Sequence, residues 1–306
     1  MLWIDGGTTN TRFTLTRGEA VLERFERHMG AANADASLQN EGLRALVARE
    51  LSRLQTVYHG EIERLCISGM ITSANGLIEV AHLTAPVGLA ELKRGVRTVL
   101  LPEIAGNLPI DCIPGVRCGE ADTVDMMRGE ETEVMGVLQG LGDALILHFG
   151  SHSKAILVKD GRIVRSLTTL SGELLHAVTT ATILRSSVTP EPPELLAEEE
   201  LRRGAAAARA HGLSRALFQA RLDAVLCGKT GSQIWSYLFG ALAQADVTAF
   251  EPLLCVPVVE TVAYGRTQFV QAFGHCVAGR AMRCISYEDS EWLSLRGMRA
   301  ILGAQG

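Results

Sequence analysis

The chain has 306 residues, 47% of them apolar and 21% charged, a globular balance rather than a disordered one. Its net charge of −5 comes without a basic stripe, which excludes an electrostatic footprint for nucleic acid, and no stretch approaches the ~20 uninterrupted apolar residues of a membrane-spanning helix. The seven cysteines lack any C-x-x-C spacing and read as small buried hydrophobes in a reducing compartment; with no basic and apolar leader before Met1-Leu2-Trp3-Ile4, a cytoplasmic protein with small-molecule partners is expected, and a homodimer is left open.

In chain order, an apolar strand ends at Asp5 and turns through Gly6-Gly7 into a hydroxyl-rich second strand, which turns again at Arg17-Gly18. Leu38, Leu43, Leu46, Val47, Leu51 and Leu54 fall at helical spacing. Arg64-Leu65-Cys66-Ile67 reads as a short buried strand leaving through Ser68-Gly69-Met70, and Thr98-Val99-Leu100-Leu101 as another, stopped by Pro102. Asn107 to Gly115 carries Pro109, Pro114 and Gly115 and reads as a crossing segment. The expected lobes are therefore 1–110 and 111–306. Asp122 to Glu133 reads as the entry of a helix with Asp125, Arg128 and Thr132 on one face.

The opening pattern then returns. Leu145-Ile146-Leu147-His148-Phe149-Gly150-Ser151-His152-Ser153-Lys154-Ala155 lies over Trp3 to Phe13 with Gly150 and Gly7 143 residues apart, and Asp160-Gly161 lies over Arg17-Gly18 at the same offset. Asp-Gly between apolar runs is a hairpin signal, because such turns need φ > 0. His148 and His152 then fall on a strand and its turn, which does not suit a metal pair at helical spacing. A helix is expected after Ser171-Gly172-Glu173, a solvated helical insertion at about 185–245 carrying Glu198–Arg202 and Glu199–Arg203 pairs, a strand around Leu253-Leu254-Cys255-Val256, and a helix from about Thr261. Meander, helix, strand and helix, twice over, make a two-lobed α/β protein.

Two constellations carry chemistry. Asp5-Gly6-Gly7-Thr8-Thr9-Asn10 places a carboxylate at a strand end, glycines that admit an anion to the backbone N–H groups, and hydroxyls for phosphate oxygens. Asp5 there suits Mg²⁺ held through water. The plain alternative is a polar hairpin turn; the matching Gly150-Ser151-His152-Ser153-Lys154 favours a pair of turns that clamp a polyphosphate. In the second constellation Asp125 is placed to accept a proton from a substrate hydroxyl and Arg128 to pair with a substrate carboxylate, the alternative being acidic residues at a helix N-terminus.

These segments, with Asp125-Met126-Met127-Arg128-Gly129-Glu130-Glu131-Thr132 and Ser171-Gly172-Glu173-Leu174, resemble in order and spacing the 2-dehydro-3-deoxygalactonokinase family. Met-Arg-Gly-Glu-Glu-Thr is the most specific part; the aspartate-glycine-threonine loop is shared with the wider sugar kinase, hexokinase, Hsp70 and actin superfamily. The resemblance implies two ribonuclease-H-like lobes with a central cleft for ATP, Mg²⁺ and a sugar acid. It implies phosphorylation of a 2-keto-3-deoxy sugar acid on its terminal hydroxyl, with Arg12, Asn75, Arg128, Glu130, Glu131 and Glu173 near the substrate. Gly6, Leu77 and Ala155 stand where the family has tryptophan, and His82 where it has tyrosine. Glu260 stands in place of a glycine turn against the nucleotide, where a carboxylate would compete for the same N–H groups. A carbohydrate kinase of different substrate, or a non-catalytic nucleotide- or sugar-acid-binding relative, is the alternative.

Overall fold

The computed structural model describes residues 1–30, 41–59, 62–138, 140–277 and 279–303. Its contacts divide the chain into two compact units: Met1–Gly142 with Asp160–Arg165 and Glu291–Gly306, and Asp143–Lys159 with Ser166–Ser290. Among the described residues all seven cysteines are free; Cys66, Cys112 and Cys118 are buried as expected, whereas Cys227, Cys255 and Cys284 are exposed.

The first unit opens with the expected meander, β1 (Leu2–Gly6), β2 (Thr11–Arg17) and β3 (Ala20–Arg27). Helix α1 (Glu41–Val57) follows, then β4 (Leu65–Gly69) parallel to β1; the early part of the expected helix lies outside the described residues. Next come β5 (Leu83–Thr84), α2 (Leu89–Gly95), β6 (Arg97–Val99), α3 (Pro102–Ala105), β7 (Ile110–Cys112), β8 (Val116–Cys118), β9 (Asp125–Met127) and α4 (Glu130–Val137). The main sheet runs β3-β2-β1-β4-β7-β6, and β5-β8-β9 form a small second sheet. Leu2, Ile4 and Phe13 from the sheet pack with Leu43, Leu46, Val47, Leu51 and Leu54 from α1, the helical leucine stripe of the sequence.

The division expected at 110/111 falls inside β7, whose three residues are all buried and pair in parallel with β4. Asn107 to Gly115 is thus part of the first sheet, because the apolar Ile110 and Cys112 are worth more buried in it than exposed in a linker.

In the second unit β10 (Ala144–Phe149), β11 (Ser153–Lys159) and β12 (Arg162–Thr169) repeat the meander, followed by α5 (Ser171–Ala181), α6 (Glu198–His211), α7 (Leu213–Leu226), α8 (Gly231–Leu254), β13 (Glu260–Gly265), α9 (Thr267–Cys276), β14 (Arg283–Cys284) and α10 (Tyr287–Ser290). The sheet order β12-β11-β10-β13-β14 reproduces that of the first five strands, β3-β2-β1-β4-β7, of the first unit's main sheet. Gly18 and Gly161 have φ of 57° and 69°, and Asp160 joins the left-handed region at 50°. Leu253 and Leu254 belong to α8, which runs on through Pro252, so the expected strand lies later, at Glu260–Gly265. In α6 Arg203 pairs with the buried Glu200 and with Asp223 rather than with Glu199, so one side of that acidic run is interior.

The chain ends in the first unit with α11 (Leu293–Leu302), which crosses α4 through glycines. A Cβ on Gly297 would lie 1.8 Å from Thr132 O, and one on Gly136 2.3 Å from Leu293 O. Gly297→Ala is therefore expected to destabilise the first unit by about 3 kcal/mol, since prying two helices apart outweighs the ~1 kcal/mol that alanine gains in helix propensity. Urea denaturation measures it; a variant as stable as the parent would disprove the close crossing.

Candidate active site

In the first unit the site is built at the carboxyl ends of β1 and β4, where an α/β sheet presents ligand-binding loops. The two strands run in register, Asp5 beside Ser68 and Gly6 beside Gly69. Gly69 has φ 87°, and a Cβ there would lie 2.5 Å from Gly6 O and 3.3 Å from Asp5 Oδ1. Ile71 fills the space that a side chain at Gly6 would need, its Cβ being 2.5 Å from an added one. The turn closes with Gly7 N donating to Asn10 O at 2.8 Å. Thr8 and Thr9 sit at its tip, while the Asn10 amide bonds sideways to Glu26 and His28.

Asp5 is ion-paired to Arg12 at 3.4 Å, and Arg12 in turn to Glu26 at 2.8 Å. Burial pushes the Asp5 carboxyl above its ordinary value; Arg12 and the nearby Ser294 hydroxyl pull it down, and Glu130 pushes it up. Glu131 is wholly buried. Both of its carboxylate oxygens accept from Gly129 N, at 2.9 and 2.8 Å, and Thr132 Oγ1 donates to it at 3.2 Å while sharing a 2.5 Å hydrogen bond with Ser68. Burial first, then Glu130, raise the Glu131 carboxyl from 4.5 to about 7.

That shift has a thermodynamic signature. A carboxyl whose folded pKa lies above its unfolded one favours folding while protonated, fully below about pH 4.5 and progressively less as pH rises through 7. The loss amounts to roughly 3 kcal/mol at one pKa unit per 1.36 kcal/mol. Glu131→Gln is expected to remove it, so that the variant gains stability over the parent between pH 5 and 8. Metal-free thermal melts across that range check this, and parallel pH curves for the two proteins would refute it.

The expected single helical face of Asp125, Arg128 and Thr132 does not form. Asp125 lies on β9 opposite Cys118, Gly129 has φ 116°, and the helix starts only at Glu130. Pairing with β8 and the left-handed glycine override the helix-start signal of the acidic residues. Asp125 is half-buried, with Oδ1 accepting from Met126 N at 2.7 Å. Arg128 is engaged in holding the 72–82 segment: Nη1 donates to Thr72 O and Oγ1, and Nη2 to Val80 O, with His82 at 3.1 Å. A guanidinium so occupied lacks the open fork that a bidentate substrate carboxylate needs. Asn75 is exposed in that same segment, and Leu77 belongs to the core.

The second unit repeats the strand-end arrangement. Gly150 N donates to His152 O at 3.1 Å, closing the turn. Gly172, in the first turn of α5, is pressed so closely against the turn that a Cβ would lie 2.1 Å from Gly150 O. Glu173 N donates to Ser151 O at 2.8 Å, and the Glu173 carboxylate meets His152 Nε2 at 3.2 Å. Glu173 thus belongs with the Gly150 turn. Ser153 is buried, and Lys154 sends its ammonium to Thr168 on β12 at 2.8 Å.

Glu260 is not at a glycine turn. It opens β13 beside Ala144, at the opposite end of the strand from Phe149 and Gly265, and is ion-paired to Arg283 at 2.6 Å. Sequence reasoning missed the real counterpart of Gly69. It is Gly265, with φ 115°, whose added Cβ would lie 2.1 Å from Phe149 O and which is followed by Arg266 donating its N–H to that same oxygen at 2.8 Å. A glycine ending an apolar strand before a helix was the available signal. Beside it lies a cavity of about 960 Å³ lined by His176, Thr180, Trp235, Phe239, Arg266 and Gln268 among others, a volume suited to a small ligand.

Among the described residues no three His, Cys, Asp or Glu side chains form an all-protein metal cage, and no helix is long and apolar enough to cross a membrane. Magnesium needs no such cage, because one or two carboxylates with phosphate oxygens and water suffice. Asp5, desolvated and pushed up by Glu130, is a donor whose charge a divalent cation would offset.

Two units of one strand order, each ending its adjacent parallel strands in glycine turns, place the chain in the ribonuclease-H-like class to which actin and the hexokinase-type kinases belong. A crystal structure of a protein from Sinorhizobium meliloti assigned as a 2-dehydro-3-deoxygalactonokinase has the same fold, with a TM-score of 0.82 at 22% identity over 99% of this chain and 98% of that one. The family model described as 2-keto-3-deoxy-galactonokinase matches residues 5–301, and the chain belongs to that family. A 2-dehydro-3-deoxygalactonokinase of Escherichia coli (strain K12) is 24% identical over 88% of both chains. A protein of Rhizobium meliloti (strain 1021) assigned the same activity is 28% identical over 60% of this chain and 58% of its own length.

Proposed function

We propose that the protein transfers the γ-phosphoryl group of ATP to the terminal hydroxyl of a 2-keto-3-deoxy sugar acid, with 2-dehydro-3-deoxygalactonate the substrate that the family name favours. The observation that carries this reading is the duplicated glycine turn at the carboxyl ends of β1/β4 and β10/β13. In the second unit the Ser151 and His152 amides of the Gly150 turn receive the nucleotide phosphates, with the cavity beside Arg266, Trp235 and Phe239 for the nucleoside. In the first unit the Gly7-Thr8-Thr9 turn serves phosphate oxygens, and Asp125, half-buried on β9, accepts the proton of the substrate hydroxyl. Glu131, wholly enclosed, is the weaker candidate for that proton because a substrate hydroxyl cannot reach it.

Asp5, with Glu130 near it, would hold Mg²⁺ through water, and the ion would supply neutralisation of charge on the phosphate oxygens. Arg12 orients the Asp5 carboxylate. Arg128 acts by fixing the 72–82 segment that flanks the substrate. The pairing of Glu260 with Arg283 supports the kinase reading over a non-catalytic relative.

The deciding test is ADP release, coupled to an indicator, across a panel of 2-keto-3-deoxy sugar acids, alongside a thermal shift with Mg-ATP. Mg-ATP at 100 times its Kd stabilises by ~2.7 kcal/mol. ADP release with one sugar acid is expected; none with any, and no shift at millimolar Mg-ATP, would refute the kinase reading.

A further inference from the structure

Helix α8 carries a carboxylate in a position where packing alone does not require one. Asp246 is wholly buried. Its Oδ1 accepts from Thr169 Oγ1 at 2.6 Å and from Ser171 Oγ at 2.5 Å. Its Oδ2 is buried with no hydrogen-bond partner, and so is the hydroxyl of Ser153, which lies close enough to favour the ionised carboxylate. A half-satisfied buried carboxyl costs several kcal/mol, and an apolar side chain of similar volume is commonly as stable or more so. The residues that it joins supply the reason for its presence.

Thr169 ends β12 and Ser171 begins α5. The next two residues of α5 are those pressed on the Gly150 turn, Gly172 against Gly150 O and Glu173 N on Ser151 O. Ser153 leaves the same turn into β11. Asp246 therefore touches both sides of one corner, the incoming end of α5 and the outgoing end of the turn. A single proton shared between Asp246 Oδ2 and Ser153 Oγ satisfies both atoms that lack partners, and burial, which raises the Asp246 carboxyl, favours its presence there.

We propose that Asp246 is a positioning residue for the nucleotide phosphates, locking the first turn of α5 to the Gly150–Ser153 turn so that the turn's amides hold the spacing a phosphate group requires. This deepens the kinase reading and rests on it. Asp246 itself does not touch the nucleotide. An amide at this position keeps an acceptor for Thr169 and Ser171 and supplies a donor to Ser153, so Asp246→Asn recovers what Asp246→Ala loses.

The test uses the full chain with Mg-ATP as the probe, its Kd by calorimetry and the KM of each substrate by ADP release. Asp246→Ala is expected to weaken Mg-ATP at least tenfold while the sugar-acid KM stays within twofold, and Asp246→Asn to return the Kd to within threefold of the parent. Ser171→Ala removes one donor and stands in should Asp246→Ala fail to fold, with an expected loss of about threefold. Unchanged Mg-ATP affinity in folded Asp246→Ala and Ser171→Ala would overturn the assignment alone, as would equal shifts in both KM values. A parent protein that binds no Mg-ATP would overturn the kinase reading and this one with it.

Discussion

Asp5→Asn is expected to lower kcat by about 10³ without lowering stability, on the scale seen when a charged group at a phosphoryl-transfer centre is removed. The two halves of this outcome have one cause. Burial raises the Asp5 carboxyl against the pull of Arg12, so the folded state carries a desolvation cost that a neutral amide of the same shape does not. Arg12 keeps Glu26 as an ion-pair partner at 2.8 Å, which limits what is lost when Asp5 is neutralised. Steady-state kinetics with saturating Mg-ATP and a thermal melt of the same preparation measure both. A variant that retains activity removes Asp5 from the metal role, and one that melts well below the parent shows the carboxylate to be structural.

Asp125→Asn is expected to reduce kcat by 10² to 10⁴, about the contribution of general-base catalysis, with the Kd for Mg-ATP unchanged. The asparagine side chain keeps an oxygen for the Met126 amide, which Asp125 Oδ1 accepts at 2.7 Å, so the end of β9 stays formed. It cannot take the substrate's proton. Full activity in Asp125→Asn together with a large loss in Glu131→Gln would transfer the base role to Glu131 and would require the buried α4 terminus to open during turnover. The two variants therefore separate a proton acceptor reached directly from one reached only through a structural change.

What the sequence determined by itself was local. Each meander could be read because its turns are built from residues that sit next to one another, the second of them closing through Gly18 or Gly161 at φ > 0, and because Gly7 with Gly18 recurs as Gly150 with Gly161 at one offset. Asp5, Thr8, Thr9 and the Gly150 turn followed from the same pattern. Gly265 did not, since α6 and α7 intervene between β12 and β13 and break the register that links the earlier glycines.

Tertiary structure decided the rest. Acidic residues and helical spacing around Asp125 describe a helix start equally well, and only the pairing of β9 with β8 makes that segment a strand. Four apolar residues at 253–256 fit a strand or the end of a buried helix, and packing kept Leu253 and Leu254 in α8. The fork of Arg128 is committed by the carbonyls of Thr72 and Val80, more than forty residues away, and Asp246 reaches Thr169 and Ser171 across 77 and 75 residues. Hydrogen bonds of such separation leave no periodic trace in a chain, because the side chains that make them are chosen by neighbours that only folding supplies.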